Sequence, residues 1–289
     1  MLCGLFGKTR QAHYKQQWSQ EGLVMKNAII IKFVLEIRKD MPRIGTRKLH
    51  FMLTETLLLH AIDIGRDSLF DLLEDYGLLV RKRKRKKKIT TDSNHPFRKY
   101  PNLIKELRIT TPNQLWVSDI TYIALLNNYC YLSLVTDAYS RKIVGFCLHP
   151  TLEKEGPLNA LEMALLAWDK RLNTTLIHHS DRGLQYCSGA YTAMLVNNGA
   201  SISMTERGDP YENALAERVN GILKSEFLLS KTFKNREEAT EAVSKSISIY
   251  NQQRPHGSCN YLTPDQAHLK QGLLPSKWKS KHAKNIPVV

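Results

Sequence analysis

The sequence predicts an α/β unit over residues 112–272, preceded by a small helical unit over 1–80 and a basic linker over 81–111, and followed by a basic tail over 273–289. Three observations predict it. Three runs rich in Val, Ile, Leu and Tyr follow one another with tight-turn residues between them. Helix-period and strand-like segments then alternate to the end of the unit. Upstream, apolar residues recur only at helical spacing.

The elements follow in chain order. Ile30, Phe33, Val34 and Ile37 mark a helix over Met25–Asp40, and Leu49, Met52 and Leu53 mark a second over Thr46–Thr56. A third fits Asp67–Tyr76, with Leu69, Leu72 and Leu73 inward and Gly77 as its stop. Three short helices suggest a helix-turn-helix-like unit. The third carries Asp67, Asp71, Glu74 and Asp75, which DNA phosphates would repel, so a groove-reading role for it is not expected.

Eight cations follow without a break: Arg81, Lys82, Arg83, Lys84, Arg85, Lys86, Lys87 and Lys88. Such a block binds phosphates through counterion release, but phosphate contacts position a protein without reading sequence. With Pro96, Pro101 and Pro112, the stretch from Ile89 to Pro112 reads as a hinge to the next unit.

That unit opens with strands over Gln114–Ile123, Tyr129–Thr136 and Lys142–Leu148, with Asn127-Asn128 and Tyr139-Ser140-Arg141 as turns. A helix over Leu158–Lys170 comes next, then a strand over 175–179 and a helix over Ser188–Asn198 stopped by Gly199. A strand over Ser201–Thr205 and two further helices complete the order βββ-α-β-α-β-α-α. The first of these helices has Asp209 as cap, Pro210 at its first position and Glu212 three after the cap. The second spans Arg236–Tyr250.

Three acids stand out against this frame. Asp119 sits inside an apolar strand, where an ionised carboxylate is costly without a partner cation. Asp181 lies just past the fourth strand, where ligands of open α/β sheets bind. Glu217 lies on a helix face with Asn213, Asn220, Gly221 and Lys224, with 35 residues between it and Asp181. Asp137 reads as a turn former rather than a fourth ligand, Glu212 as a cap and Glu226 as a surface acid; His178 and His179 could ligate metal, but a strand-end pair reads first as structural or as support behind the ligands.

Four stretches carry more information than the spacing: WVSDITYI (116–123), HHSDRGLQY (178–186), GDPYENALAERVNGILKSE (208–226) and YNQQRPHGSCNYLTPDQA (250–267). In this order they closely resemble the integrase core of bacterial insertion-sequence transposases, the second-reading-frame (OrfB) type of the IS three family, within the DDE transposase and retroviral integrase superfamily. The resemblance runs from about Pro112 to about Lys270, with a weaker match from Met25 to Leu79; Ser258-Cys259 departs from the expected Ala-Leu.

The resemblance implies a ribonuclease H-like fold, a five-stranded mixed sheet flanked by helices in which the first and fourth strands are neighbours. It implies that Asp119, Asp181 and Glu217 are catalytic and bind two Mg²⁺ ions, with Mn²⁺ substituting, for in-line cleavage and transfer of DNA strands. Arg182, Gln185, Asn220 and Lys224 become candidate DNA contacts, with the cationic run. Element ends and target DNA are the implied partners, with a homo-oligomer on DNA, an upstream-frame (OrfA) product or fusion and a circular intermediate.

Bulk properties agree. Against 27 Asp and Glu stand 42 Lys and Arg, a net charge of +15 that favours a polyanion. No run of about 18 apolar residues and no cleavable leader are evident, and the five cysteines never form Cys-x-x-Cys; a bacterial cytoplasmic, nucleoid-associated protein with reduced thiols is expected. Two alternatives remain open at this point. A tyrosine recombinase would use His179, Arg182 and Tyr211; a DNA-binding regulator, or a transposase inactive without its upstream frame, would bind and not cut.

Overall fold

A computed structural model of the chain describes Gly7 and residues 9–81, 96–169, 175–206 and 213–274. It divides into two compact units, residues 1–83 and 84–289.

The first unit is helical. Helix α1 (Arg10–Asp40) starts at Thr9, whose hydroxyl accepts from the Ala12 amide, and its last turn carries Arg38 and Lys39 against the negative helix end. It is longer than the predicted Met25–Asp40. The added turns are exposed and contain no Pro to stop them. Helices α2 (Thr46–Leu59) and α3 (Arg66–Asp75) bury Leu49, Leu53, Leu57, Leu69 and Leu73 with Val34 and Ile44. Gly77 ends α3 at φ +64°, its amide donating to Glu74 and the Leu78 amide to Leu73. The four acids of α3 all face solvent.

The second unit is built on five strands: β1 (Leu115–Ala124), β2 (Tyr129–Asp137), β3 (Ile143–His149), β4 (Ile177–Ser180) and β5 (Ser201–Met204), in the order β3-β2-β1-β4-β5. β1, β2 and β3 pair antiparallel, whereas β4 and β5 run parallel to β1. That topology is the ribonuclease H-like fold. Helix α4 (Glu155–Leu166), the single turn α5 (Leu184–Cys187) and α6 (Gly189–Asn197) pack with Trp116, Leu176, Ile202 and Met204 in the main core. Helix α7 (Ala214–Glu226) contributes Ala216 to a smaller cluster with Leu115, Val117 and Ala138; α8 (Arg236–Gln252) and α9 (Pro264–His268) follow.

Three expectations change. α4 begins and ends earlier than Leu158–Lys170, so Trp168 lies past its end, yet stays buried with its ring 5.8 Å from that of Trp116. α7 begins at Ala214 with Asn213 as its cap residue; Asp209, Pro210 and Glu212 lie outside the described residues. Glu217 therefore stands in the first turn rather than two turns in. Finally, the segment before Pro112 is laid on the sheet: Ile104, Leu107 and Ile109 join the Val117 cluster, the Leu103 amide donates to Ser203 Oγ at 2.9 Å and the Met204 amide to Pro101. Its apolar residues have a face to cover, which a free hinge would leave in water.

Candidate active site

The parallel pairing of β1 with β4 places the two aspartates. Leu115 faces Ile177, Trp116 faces His178 and Val117 faces His179, a constant offset of 177 − 115 = 62. Asp119 and Asp181 keep that offset, 181 − 119 = 62, two residues beyond the last pair. Both chains thus present an acid at the same level of the carboxyl end of the sheet. Alternation along β1 sends Val117 and Asp119 to one face and Trp116 and Ser118 to the other.

Each carboxylate is held by backbone. The Ile120 amide donates to Asp119 Oδ1 at 2.9 Å and the Gly183 amide to Asp181 Oδ1 at 3.0 Å. A Cβ at Gly183 would stand 3.0 Å from that same oxygen, so a larger residue there would crowd the carboxylate. Helix α7 docks through two asparagines. Asn220 Nδ2 donates to Asp119 Oδ2 at 2.8 Å, and Asn213 Nδ2 to the Ser118 carbonyl at 3.1 Å. Glu217 lies between them in sequence with an exposed side chain, in the first turn, where the helix dipole favours an anion.

Burial pushes the Asp119 carboxyl up from 3.8 to about 7; the charges of Asp181 and Glu217 add to the effect, and the bonds from Asn220 and Ile120 oppose it. Tyr186, fully buried, is driven well above the usual phenol range by burial and by Tyr191, Asp119 and Asp181. The site is thus a concentration of negative charge around partly solvent-accessible carboxylates.

Hard carboxylate oxygens without sulfur are the donor set of Mg²⁺ or Mn²⁺. The buried Asn220 Oδ1, Asn213 Oδ1 and Tyr186 hydroxyl have no hydrogen-bond partner among the described residues, as expected where polar groups await an ion and its water. No three His, Cys, Asp or Glu side chains among the described residues already form a closed ligand cage. Mutual repulsion of carboxylates opposes closing one, and the Glu217 side chain is exposed.

The remaining expected residues divide. Lys224 is half-buried, with its ammonium 3.8 Å from the centre of the Tyr122 ring. Arg182 is half-buried beside Asp181, and Gln185 donates to the Leu152 carbonyl at 2.7 Å. Asn220, expected at DNA, is turned inward and 5% exposed, its amide donating to the Asp119 carboxylate. Arg81 is exposed; Lys82 to Lys88 and Tyr211 lie outside the described residues.

Asp137 is a turn former, accepting from Ser140 and from the Asn113 amide. Glu226 is not a surface acid. It forms a two-point ion pair, at 2.8 and 2.9 Å, with Arg254, which is 1% exposed. No local signal in the sequence announces that pair.

A ribonuclease H-like sheet presenting neighbouring acids from two strands and one helix has the build of a metal-dependent polynucleotidyl transferase. Integrase core domain models match residues 109–210 and 198–264. The chain is 36% identical over 269 residues to an uncharacterized 31 kDa protein of insertion element IS600 from Shigella sonnei, covering 91% of this chain and 96% of that one. It is 33% identical over 211 residues to the transposase for insertion sequence element IS629 of Shigella sonnei, covering 73% and 70%. It is 36% identical over 156 residues to transposase InsF of insertion sequence IS3A from Escherichia coli K12, covering 54% of each. Among solved structures it is similar to the HTLV-2 integrase catalytic core domain, with a TM-score of 0.42, 20% identity and coverage of 55% and 97%. The chain belongs to the insertion-sequence transposases with an integrase core, in the DDE superfamily. The tyrosine-recombinase alternative falls with that membership.

Proposed function

We propose that this transposase cleaves and joins DNA strands at the ends of its insertion sequence, with Asp119, Asp181 and Glu217 holding two Mg²⁺ ions and Mn²⁺ able to replace them. The observation that carries the reading is the matched offset of the two aspartates across β1 and β4, with α7 docked on Asp119 through Asn220. When bound, the cations would polarise the scissile phosphate and stabilise the attacking and leaving oxygens.

The chain's own groups do the rest. The Ile120 and Gly183 amides and the Asn220 side chain fix the two aspartates so that they need not reorganise during the reaction. Glu217, exposed in the first turn of α7, would complete the set. Arg182, next to Asp181 in sequence, and Lys224, on α7 over the Tyr122 ring, would supply positive charge for the DNA backbone, with the cationic run 81–88. With water as attacker the product is a nicked strand, and with a DNA 3′-hydroxyl it is a joined one.

Among the described residues no helix is long and apolar enough to cross a membrane, and the proposed setting is the bacterial cytoplasm, on the nucleoid when bound. A homo-oligomer on DNA and an upstream-frame (OrfA) partner or fusion are the proposed assembly.

The test is cleavage of supercoiled DNA carrying the element's ends, with Mg²⁺ or Mn²⁺. Metal-dependent breaks at the end boundaries, lost in Asp119→Asn, Asp181→Asn and Glu217→Gln alike, are expected. Breaks that survive in the variants or in chelator would sink the reading. Cleavage only by a fusion with the upstream frame would favour the second reading, a chain that binds DNA and needs that frame to cut it.

A further inference from the structure

The reaction leaves the histidines of the 178–186 stretch without a part. His178 is 0% exposed, and burial, with His179 beside it, pushes its pKa down to about 3, so the ring is neutral. Two hydroxyls converge on its Nε2: Ser118 Oγ at 2.8 Å, from β1, and Tyr191 Oη at 2.9 Å, from α6. The Tyr191 ring also packs edge-on to the imidazole at 5.4 Å. His179 makes a similar bond, from Nδ1 to Ser203 Oγ on β5 at 2.8 Å.

The place of this cluster matters. Backbone pairing of β1 with β4 stops at Val117 and His179. β4 goes on pairing with β5 through Ser180 and Met204, and the Thr205 amide donates to the Ser180 carbonyl. β1 therefore has its last pair with β4 two residues before Asp119. From that point no ladder fixes the distance between the strands that carry the two acids. The Ser118–His178 bond ties the first unpaired residue of β1 back to the paired part of β4, at the edge of the opening. Ser118 and His178 lie on the opposite face from Asp119 and Asp181, so the cluster supports the acids from beneath without competing as a ligand.

We propose that His178 is a positioning residue, a buried crossbar that joins β1, β4 and α6 and sets the separation of Asp119 and Asp181 where their strands part. The proposal rests on the reading of those aspartates as the reacting pair. Its rival is a polar cluster that merely fills the core, in which case its replacement would change exchange alike throughout the unit.

Two amides report on the acids directly, since the Ile120 N–H is bonded to the Asp119 carboxylate and the Gly183 N–H to that of Asp181. Residue-resolved hydrogen exchange of the full chain, without added metal, would compare wild type with His178→Leu, Ser118→Ala and Tyr191→Phe. Exchange at Ile120 and Gly183 is expected to accelerate at least tenfold in His178→Leu, and Ile120 by about threefold or more in Ser118→Ala. Leu134 and Phe146, paired across β2 and β3, should stay within about twofold. Unchanged exchange at Ile120 and Gly183, or equal acceleration everywhere, would overturn the crossbar. If His178→Leu does not fold, Ser118→Ala and Tyr191→Phe decide by the same comparison.

Mg²⁺ titration followed by thermal shift separates the two ideas. The midpoint is expected to rise about fivefold in Ser118→Ala. An absent response in wild type would refute the metal reading of the acids, while the exchange comparison still judges His178.

Discussion

Replacing Asp119 by Asn at pH 8 should make the metal-free chain more stable while it removes DNA cleavage. The folded protein keeps the Asp119 proton up to about pH 7, whereas the unfolded chain gives it up near 3.8. Between those values the folded state binds more protons, so stability is fullest below 3.8 and falls as pH rises through 7. A change of that size corresponds to ~4 kcal/mol between the neutral and charged forms. The carboxylate is partly open to solvent, which screens the effect, and about 1–3 kcal/mol is the working expectation. Asn is nearly isosteric and carries no charge. Its new amide can be met by the Asn220 Oδ1, which has no partner among the described residues, once the Asn220 amide turns over.

The assay is thermal unfolding of both proteins in chelator from pH 4.5 to 8.5. For a unit of this size each kcal/mol moves the midpoint by about 2–4 °C. Asp119→Asn should melt several degrees higher at pH 8 and lose most of the pH slope, with the two curves converging near pH 4.5. Added Mg²⁺ should raise the wild type and leave the variant almost unmoved. An Asp119→Asn protein that melts lower at pH 8, or that keeps the wild-type slope, would refute the argument that burial and neighbouring acids destabilise this carboxylate.

Other substitutions test the frame around the site. Lys224→Ala should weaken binding to all DNA sequences alike and lower the slope of log affinity against log salt by about 1, measured by titration at several salt concentrations. Arg254→Met leaves Glu226 beside an apolar chain and should cost about 3–5 kcal/mol in a denaturant melt, with Glu226→Met added to it recovering much of the loss. Gly145→Ala should lower stability by about 3 kcal/mol or more, since its Cβ would stand 2.0 Å from the Ala160 carbonyl oxygen, where β3 and α4 touch.

The same physics explains what was legible in the sequence. The strands of the sheet were readable because alternation and turn residues are local, and their bounds moved by only one or two residues in the structure. Asp119 was readable as an acid inside an apolar run and Asp181 as one just past the end of another. The inward turn of Asn220 was half legible. Asn213, Ala216, Asn220 and Leu223 recur at i, i+3, i+7 and i+10, and all four are buried. They form the apolar stripe of a docked helix with asparagine at two of its positions. Spacing fixes that they share a face, but not whether that face meets DNA or a buried carboxylate, because the partner lies on another element.

Glu226 and Arg254 show the limit more sharply. They are 28 residues apart, and neither has a neighbour in sequence that requires the other. Polar residues inside an apolar stripe thus mark a buried site that must be paired across elements. Ser118, between Trp116 and Ile120 on β1, and His178 on β4 fit that rule as well as the asparagines do. The stripe tells which residues must find partners; only the parallel register of β1 with β4 tells which partners they find, and hence that the polar layer lies directly beneath the acids.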